Sequence, residues 1–75
     1  MRYNGTMHTQ QKIENVIKAE RKRRRITQAE FAEALGVSRQ TVATLEKGDY
    51  SPSLFLAMKI SRYFHEPIEN LFFLK

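Results

Sequence analysis

Between Gln28 and Lys47 the apolar positions follow a helical period, first on one short segment and then on another. Phe31, Ala32 and Leu35 fall at i, i+1 and i+4, the spacing of one helix face. Val42 and Leu45 fall at i and i+3 on a second helix, Ser38–Lys47. Thr27 precedes the first segment and Glu30 follows three residues later, the spacing of a capping box. Ser38 is a natural N-cap for the second segment. Gly36 stands where the chain must leave the first helix, a position that favours positive φ. Val37, in the turn, can fill the angle between the helices. Two helices crossing steeply over a three- to four-residue turn form a helix-turn-helix unit.

The flanks extend this pattern to five helices. Thr9 to Arg24 reads as the first, with Thr9 as N-cap and Ile13, Val16, Ile17 and Glu20 on one stripe. Lys22, Arg23, Arg24 and Arg25 end it, where cations suit the helix dipole. Gly48 closes the helix that starts at Ser38. Ser51 caps a fourth helix with Pro52 in its first turn, running to about Phe64. Leu54, Leu56, Ala57, Ile60, Ser61 and Phe64 share one face of it; Phe55, Met58, Lys59 and Arg62 share the other. Pro67 starts a short fifth helix that turns Ile68, Leu71 and Phe72 inward. The expected architecture is all-α and compact: an arm at 1–8, a five-helix domain at 9–72 and a tail at 73–75. The arm carries Arg2 and the turn signal Asn4-Gly5, and is expected to be flexible.

Leu71, Phe72, Phe73 and Leu74 are four apolar residues in a row, more than one helix face hides. They predict a dimer interface, the tail packing across a two-fold axis as a helix face or a short strand. The alternative is a tail folded back on its own subunit.

Charge narrows the function. The 75 residues suffice for one small domain, which buries only about 60% of its unfolded surface. The net charge is +5, and residues 1–47 hold all of the excess, ten Lys or Arg against five acids. A basic surface on the half with the helix-turn-helix is the footprint of polyanion binding. There is no cysteine, so neither a disulfide nor a Cys-based zinc site is available, which suits a reducing cytoplasm. No apolar run approaches the ~18 residues that cross a bilayer, and the polar opening stretch gives no secretory signal. His8 and His65 lie in different segments without metal-ligand spacing, and no nucleophile–base grouping is visible. The chain therefore reads as a cytoplasmic, non-enzymatic protein without metal or cofactor.

Residues 27–54, TQAEFAEALGVSRQTVATLEKGDYSPSL, resemble the helix-turn-helix of the lambda-repressor-like (Xre, Cro-CI type) transcriptional regulators almost position by position. The resemblance runs from about Ile17 to Phe72. In such a unit the second helix enters the major groove of duplex DNA with its N-terminal end leading. On Ser38–Lys47 the outward residues are Arg39, Gln40, Ala43, Thr44 and Lys47. Arg39 can give paired hydrogen bonds to guanine, Gln40 can do so for adenine, and Ala43 can touch a thymine methyl. By resemblance, Arg39, Gln40 and Thr44 occupy the family's base-reading positions. Gln28 begins the preceding helix, where free N–H groups meet a phosphate, and by resemblance it also braces Gln40. Ser38, Thr41, Lys47, Tyr50, Arg24 and Arg25 are further phosphate candidates; such contacts set register without reading sequence. The resemblance also implies an ion pair between Arg21 and Glu46, clamping the first helix to the third. Members of the family often carry Gly where Arg25 stands. The expected function is a sequence-specific regulator, a repressor by preference, working as a homodimer on operator DNA. The competing reading is an antitoxin-like protein that binds a protein partner through its tail and the Phe55/Met58 face, and its own promoter as well.

Overall fold

The computed structural model describes residues 12–48 and 50–75. Strand β1 covers Ile13–Asn15 and leads into helices α1 (Ile17–Arg23), α2 (Gln28–Leu35), α3 (Arg39–Lys47) and α4 (Leu54–Phe64). One turn of 3-10 helix at Ile68–Asn70 and strand β2 (Phe72–Leu74) complete the described chain. The expected arm at 1–8 and the helix start at Thr9 lie outside the described residues.

Four α-helices and a two-stranded antiparallel sheet stand where the sequence pattern predicts five helices. Ile13 pairs with Leu74, Glu14 with Phe73 and Asn15 with Phe72. The Lys75 N–H extends the ladder to the Lys12 carbonyl at 2.9 Å. The Ile13/Val16/Ile17 spacing fits a helix, but it fits a short strand running into a helix equally well. The strand's partner stands at the far end of the sequence, so no local period reveals it. The tail at 73–75 is therefore no separate appendage; it forms the second strand of its own domain.

The predicted fifth helix shrinks to one 3-10 turn for a related reason. Pro67 is extended (φ −64°, ψ 152°), and Leu71 donates to the Ile68 carbonyl at 2.9 Å before the chain enters β2. Too few residues separate Pro67 from the strand to repay the nucleation of an α-helix. The fourth helix also starts later than predicted. Ser53, not Ser51, is its cap, accepting the Leu56 N–H at 3.1 Å, and Pro52 lies ahead of the helix. That shift turns Leu54 to solvent beside Phe55 and Met58, rather than into the core.

Ile17, Phe31, Leu35, Val42, Leu45, Ile60, Phe64 and Leu71 are the large, fully buried side chains, drawn from α1 to α4 and the segment before β2. Burial of each such side chain is worth about 1.5–3 kcal/mol against exposure. Phe31 sits between Tyr63 and Phe64, with centroids 5.3 and 5.2 Å away. Leu71, expected at a dimer interface, is only 1% exposed and belongs to this core. Val37 packs against its edge from the turn. Among the described residues no helix is long and apolar enough to cross a membrane.

Candidate nucleic-acid interface

The α2–turn–α3 unit is fixed by local bonds that its residue types dictate. The Thr27 hydroxyl accepts the Glu30 N–H at 3.0 Å, and the Glu30 carboxylate accepts the Thr27 N–H at 2.8 Å. Gly36 adopts φ 76°, the left-handed conformation that glycine reaches without strain, and turns the chain out of α2. The Val37 N–H then donates back to the Ala32 carbonyl at 3.0 Å. Ser38 starts α3 by accepting the Thr41 N–H at 3.0 Å, and Gly48 ends it at φ 85°. On the other side, the Lys59 ammonium donates to the Leu35 carbonyl, placing a cation at the negative end of α2.

Buried Val42 and Leu45 root α3 in the core and so decide which face is free. Arg39 and Gln40 are exposed at its first turn; Ala43 and Thr44 are half-exposed one turn on. Three shallow clefts follow this face. Gln28, Arg39, Gln40 and Ala43 line one, and Gln40, Thr41, Thr44 and Tyr50 a second. The third lies between Lys18, Gln28, Ala43, Glu46 and Lys47. The Gln40 side-chain amide reaches the Thr44 hydroxyl at 3.4 Å, a long bond that sets the two side chains side by side. Ser38 and Thr41 share a hydroxyl–hydroxyl bond at 2.9 Å at the exposed start of the helix.

Behind this face lies a buried ion pair. Arg21 Nε donates to Glu46 Oε2 at 2.6 Å and Arg21 Nη2 to Glu46 Oε1 at 3.0 Å. The side chains are 8% and 3% exposed, so this is an interior pair and not a surface one. Arg21 Nη1 also donates to the Ile26 carbonyl at 2.8 Å. Burial pushes the Glu46 carboxyl up, but the bonds from Arg21 and Gln28 and the charges of Arg21 and Lys18 outweigh it. The net result lies below the ordinary glutamate value. Its bond to Glu46 raises the Arg21 pKa, against the opposing effect of burial.

Gln28 Nε2 donates to Glu46 Oε1 at 3.1 Å. The partner found for Gln28 is thus Glu46 rather than Gln40, although Gln28 and Gln40 line the same cleft. The four cations of the basic run have separate environments. Arg23 and Arg24 meet Glu20 at 2.7 and 3.3 Å, and hydrogen bonding from Arg23 lowers the Glu20 pKa. Arg24 lies 4.6 Å over the Phe64 ring, turned onto its own domain. Lys22 and Arg25 are exposed, and Arg25 holds φ 60°, left-handed without being glycine. Lys47 is exposed at the last turn of α3, and half-buried Tyr50 packs on the core rim.

Two residues that the sequence pattern passed over belong to this site. Lys18, on the outer side of the first helix as its stripe of apolar residues requires, shares the cleft with Lys47 and Gln28. Asn15 donates through Nδ2 to the Leu45 carbonyl at 3.0 Å and accepts the Ile17 N–H at 3.0 Å. The available signal was a residue with N-cap preference just ahead of Ile17.

A capped helix pair with a buried clamp and one polar helix face turned outward defines a helix-turn-helix domain. The helix-turn-helix family model matches residues 17–71, and the chain belongs to that family, the one whose pattern residues 27–54 resemble. An uncharacterized HTH-type transcriptional regulator of Bacillus subtilis is 46% identical over 63 residues, covering 84% of this chain and 96% of that one. Another, from Methanocaldococcus jannaschii, is 47% identical over 60 residues, covering 80% of this chain and 91% of its own. A solved structure of a candidate DNA-binding protein from Bacteroides fragilis shares the fold with a TM-score of 0.73 at 23% identity. That match covers 81% of this chain and 98% of the other.

Proposed function

We propose that this protein is a sequence-specific, double-stranded-DNA-binding transcription regulator, a repressor that reads the major groove with α3. One observation carries the reading: α3 buries Val42 and Leu45 while Arg39, Gln40, Ala43 and Thr44 line its outward clefts. Arg39 matches the paired acceptors of guanine and Gln40 the acceptor and donor of adenine. Exposed Lys47, Lys22 and Arg25, with Lys18 and the start of α2 at Gln28, grip phosphates and set register. Arg24, engaged with Glu20 and Phe64, contributes least of the basic run. Relatives named as transcriptional regulators support the same role.

The regulator works in the cytoplasm as a homodimer. With Leu71 committed to the core, the interface falls to the sheet, where Phe73 and Leu74 are 43% and 69% exposed. Each protomer then reads a half-site, with centres about 10 bp apart or a multiple of that. Selection of bound sites from a random duplex pool, at fixed salt, tests the reading. A two-fold-related consensus is expected; no enrichment of any sequence refutes it. Sedimentation that finds a strict monomer at high concentration, with and without DNA, refutes the dimer alone.

One feature favours a second, partner-binding reading. Phe55 and Met58 on α4 are 72% and 52% exposed, next to exposed Leu54. One stoichiometric protein partner recovered from the source cell, and lost on Phe55→Ser with DNA binding intact, would establish it.

A further inference from the structure

The Asn15 side chain joins three elements at one point. Its backbone pairs with Phe72 in the sheet, and the next residue's N–H donates to the Leu71 carbonyl at 3.1 Å. Its Oδ1 accepts the first N–H of α1, from Ile17, at 3.0 Å. Its Nδ2 donates to the Leu45 carbonyl in the last turn of α3, also at 3.0 Å. The two contacts satisfy one of the unpaired N–H groups that open a helix and one of the carbonyls that close another. A primary amide both donates and accepts, from separate atoms and without charge.

We propose that Asn15 is a positioning residue, fixing the last turn of α3 against the sheet and so the angle at which Arg39, Gln40 and Thr44 meet base edges. The proposal rests on the DNA-reading role of α3 given above. Its geometry is that of a lever. The outer end of α3 carries Arg39, and the inner end is tied at two successive residues. Asn15 holds the Leu45 backbone, and Arg21 and Gln28 hold the Glu46 side chain. The bonds to Glu46 hold a side chain, whereas Asn15 grips the backbone of α3 itself; with Val42 and Leu45 seated in the core, the two together fix the helix in angle as well as in place. The Gly48 N–H donates to the same Leu45 carbonyl at 3.1 Å, so the Asn15 contact falls where the helix is already being closed.

Asn15→Ser separates the two contacts. The hydroxyl still caps Ile17 but is too short to reach Leu45. Two measurements on the full chain, made well below its melting temperature, test the proposal. The first is affinity for a duplex selected by the wild-type protein against a random duplex, at one salt concentration. The variant is expected to lose up to about fivefold in the ratio of the two, the loss if the whole worth of one part-buried neutral hydrogen bond goes into holding α3 at its reading angle, with random-duplex affinity unchanged. The second is amide hydrogen exchange of the free protein. Exchange should rise in the last turn of α3 and at Gly48 by more than in α2. An unchanged affinity ratio, or a rise that is uniform across all four helices, overturns the proposal and leaves Asn15 an ordinary stabilising residue. If Asn15→Ser fails to fold, Asn15→Asp, which keeps the cap and loses the donor, is read against the same ratio. A wild-type protein that prefers no duplex refutes the DNA reading instead, and the exchange pattern alone then decides whether Asn15 holds α3.

Discussion

Replacing Glu46 by alanine should be the most damaging single change outside the apolar core. It strips Arg21 of two of its three hydrogen bonds and leaves only the one to the Ile26 carbonyl. The guanidinium, 8% exposed in the intact pair, would then stand unpaired. Breaking a buried pair by removing one partner costs about 3–5 kcal/mol. A domain of this size has roughly 4–11 kcal/mol in total, so the change takes a large share of its stability. The melting temperature should fall by roughly 12–40 °C, at about 4–8 °C per kcal/mol. Replacing both partners, as in Arg21→Met/Glu46→Leu, should cost much less than the two single changes added together, because no charge is left buried. Urea and thermal unfolding followed by circular dichroism, on Glu46→Ala and on the four proteins of this cycle, would measure it. A Glu46→Ala cost below about 1 kcal/mol would refute the reasoning, since that is the worth of an exposed pair.

The remaining predictions concern pH, backbone strain, capping and charge. The Glu46 pKa is lowered in the folded chain, so its stabilisation is complete above the unfolded-state value and is lost as pH falls through the lower folded value. The acid limb of the stability–pH curve should therefore flatten in Glu46→Gln. Arg25→Gly relieves a left-handed non-glycine residue and should stabilise by about 0.5–1 kcal/mol in urea titrations, while weakening DNA binding at low salt. Thr27→Ala removes one half of the capping box and should cost about 0.5–2 kcal/mol by thermal melting. Lys47→Ala should weaken binding to every duplex alike and reduce the slope of log affinity against log salt by about 1.

The functional unit was legible because local chemistry encodes it. Thr27 and Glu30 satisfy each other within four residues, and Gly36 and Gly48 take the positive φ that ends a helix. The phase of Val42 and Leu45 alone decides which way Arg39, Gln40, Ala43 and Thr44 face. What escaped the sequence depends on residues far apart along the chain. β1 spans three residues and exists because Phe72–Leu74 return to it. The start of α4 lies at Ser53 rather than Ser51, two identical side chains flanking one proline. The Arg24 guanidinium, one of four adjacent cations, is drawn inward by Glu20 and by Phe64, forty residues on, which no local pattern announces. Asn15 escaped for both reasons, lying in the unpredicted strand and bonding to a carbonyl thirty residues away.

Everything proposed for this protein depends on α3 reading bases through its outward face. The most direct test is Arg39→Ala against a selected duplex and its single-base variants, titrated at one salt concentration beside a random duplex. The expected result is a loss of about 1–3 kcal/mol on the selected site, with the variant now indifferent at one base pair and every other penalty retained. Equal losses on selected and random DNA, with the penalties at all positions unchanged, would contradict it.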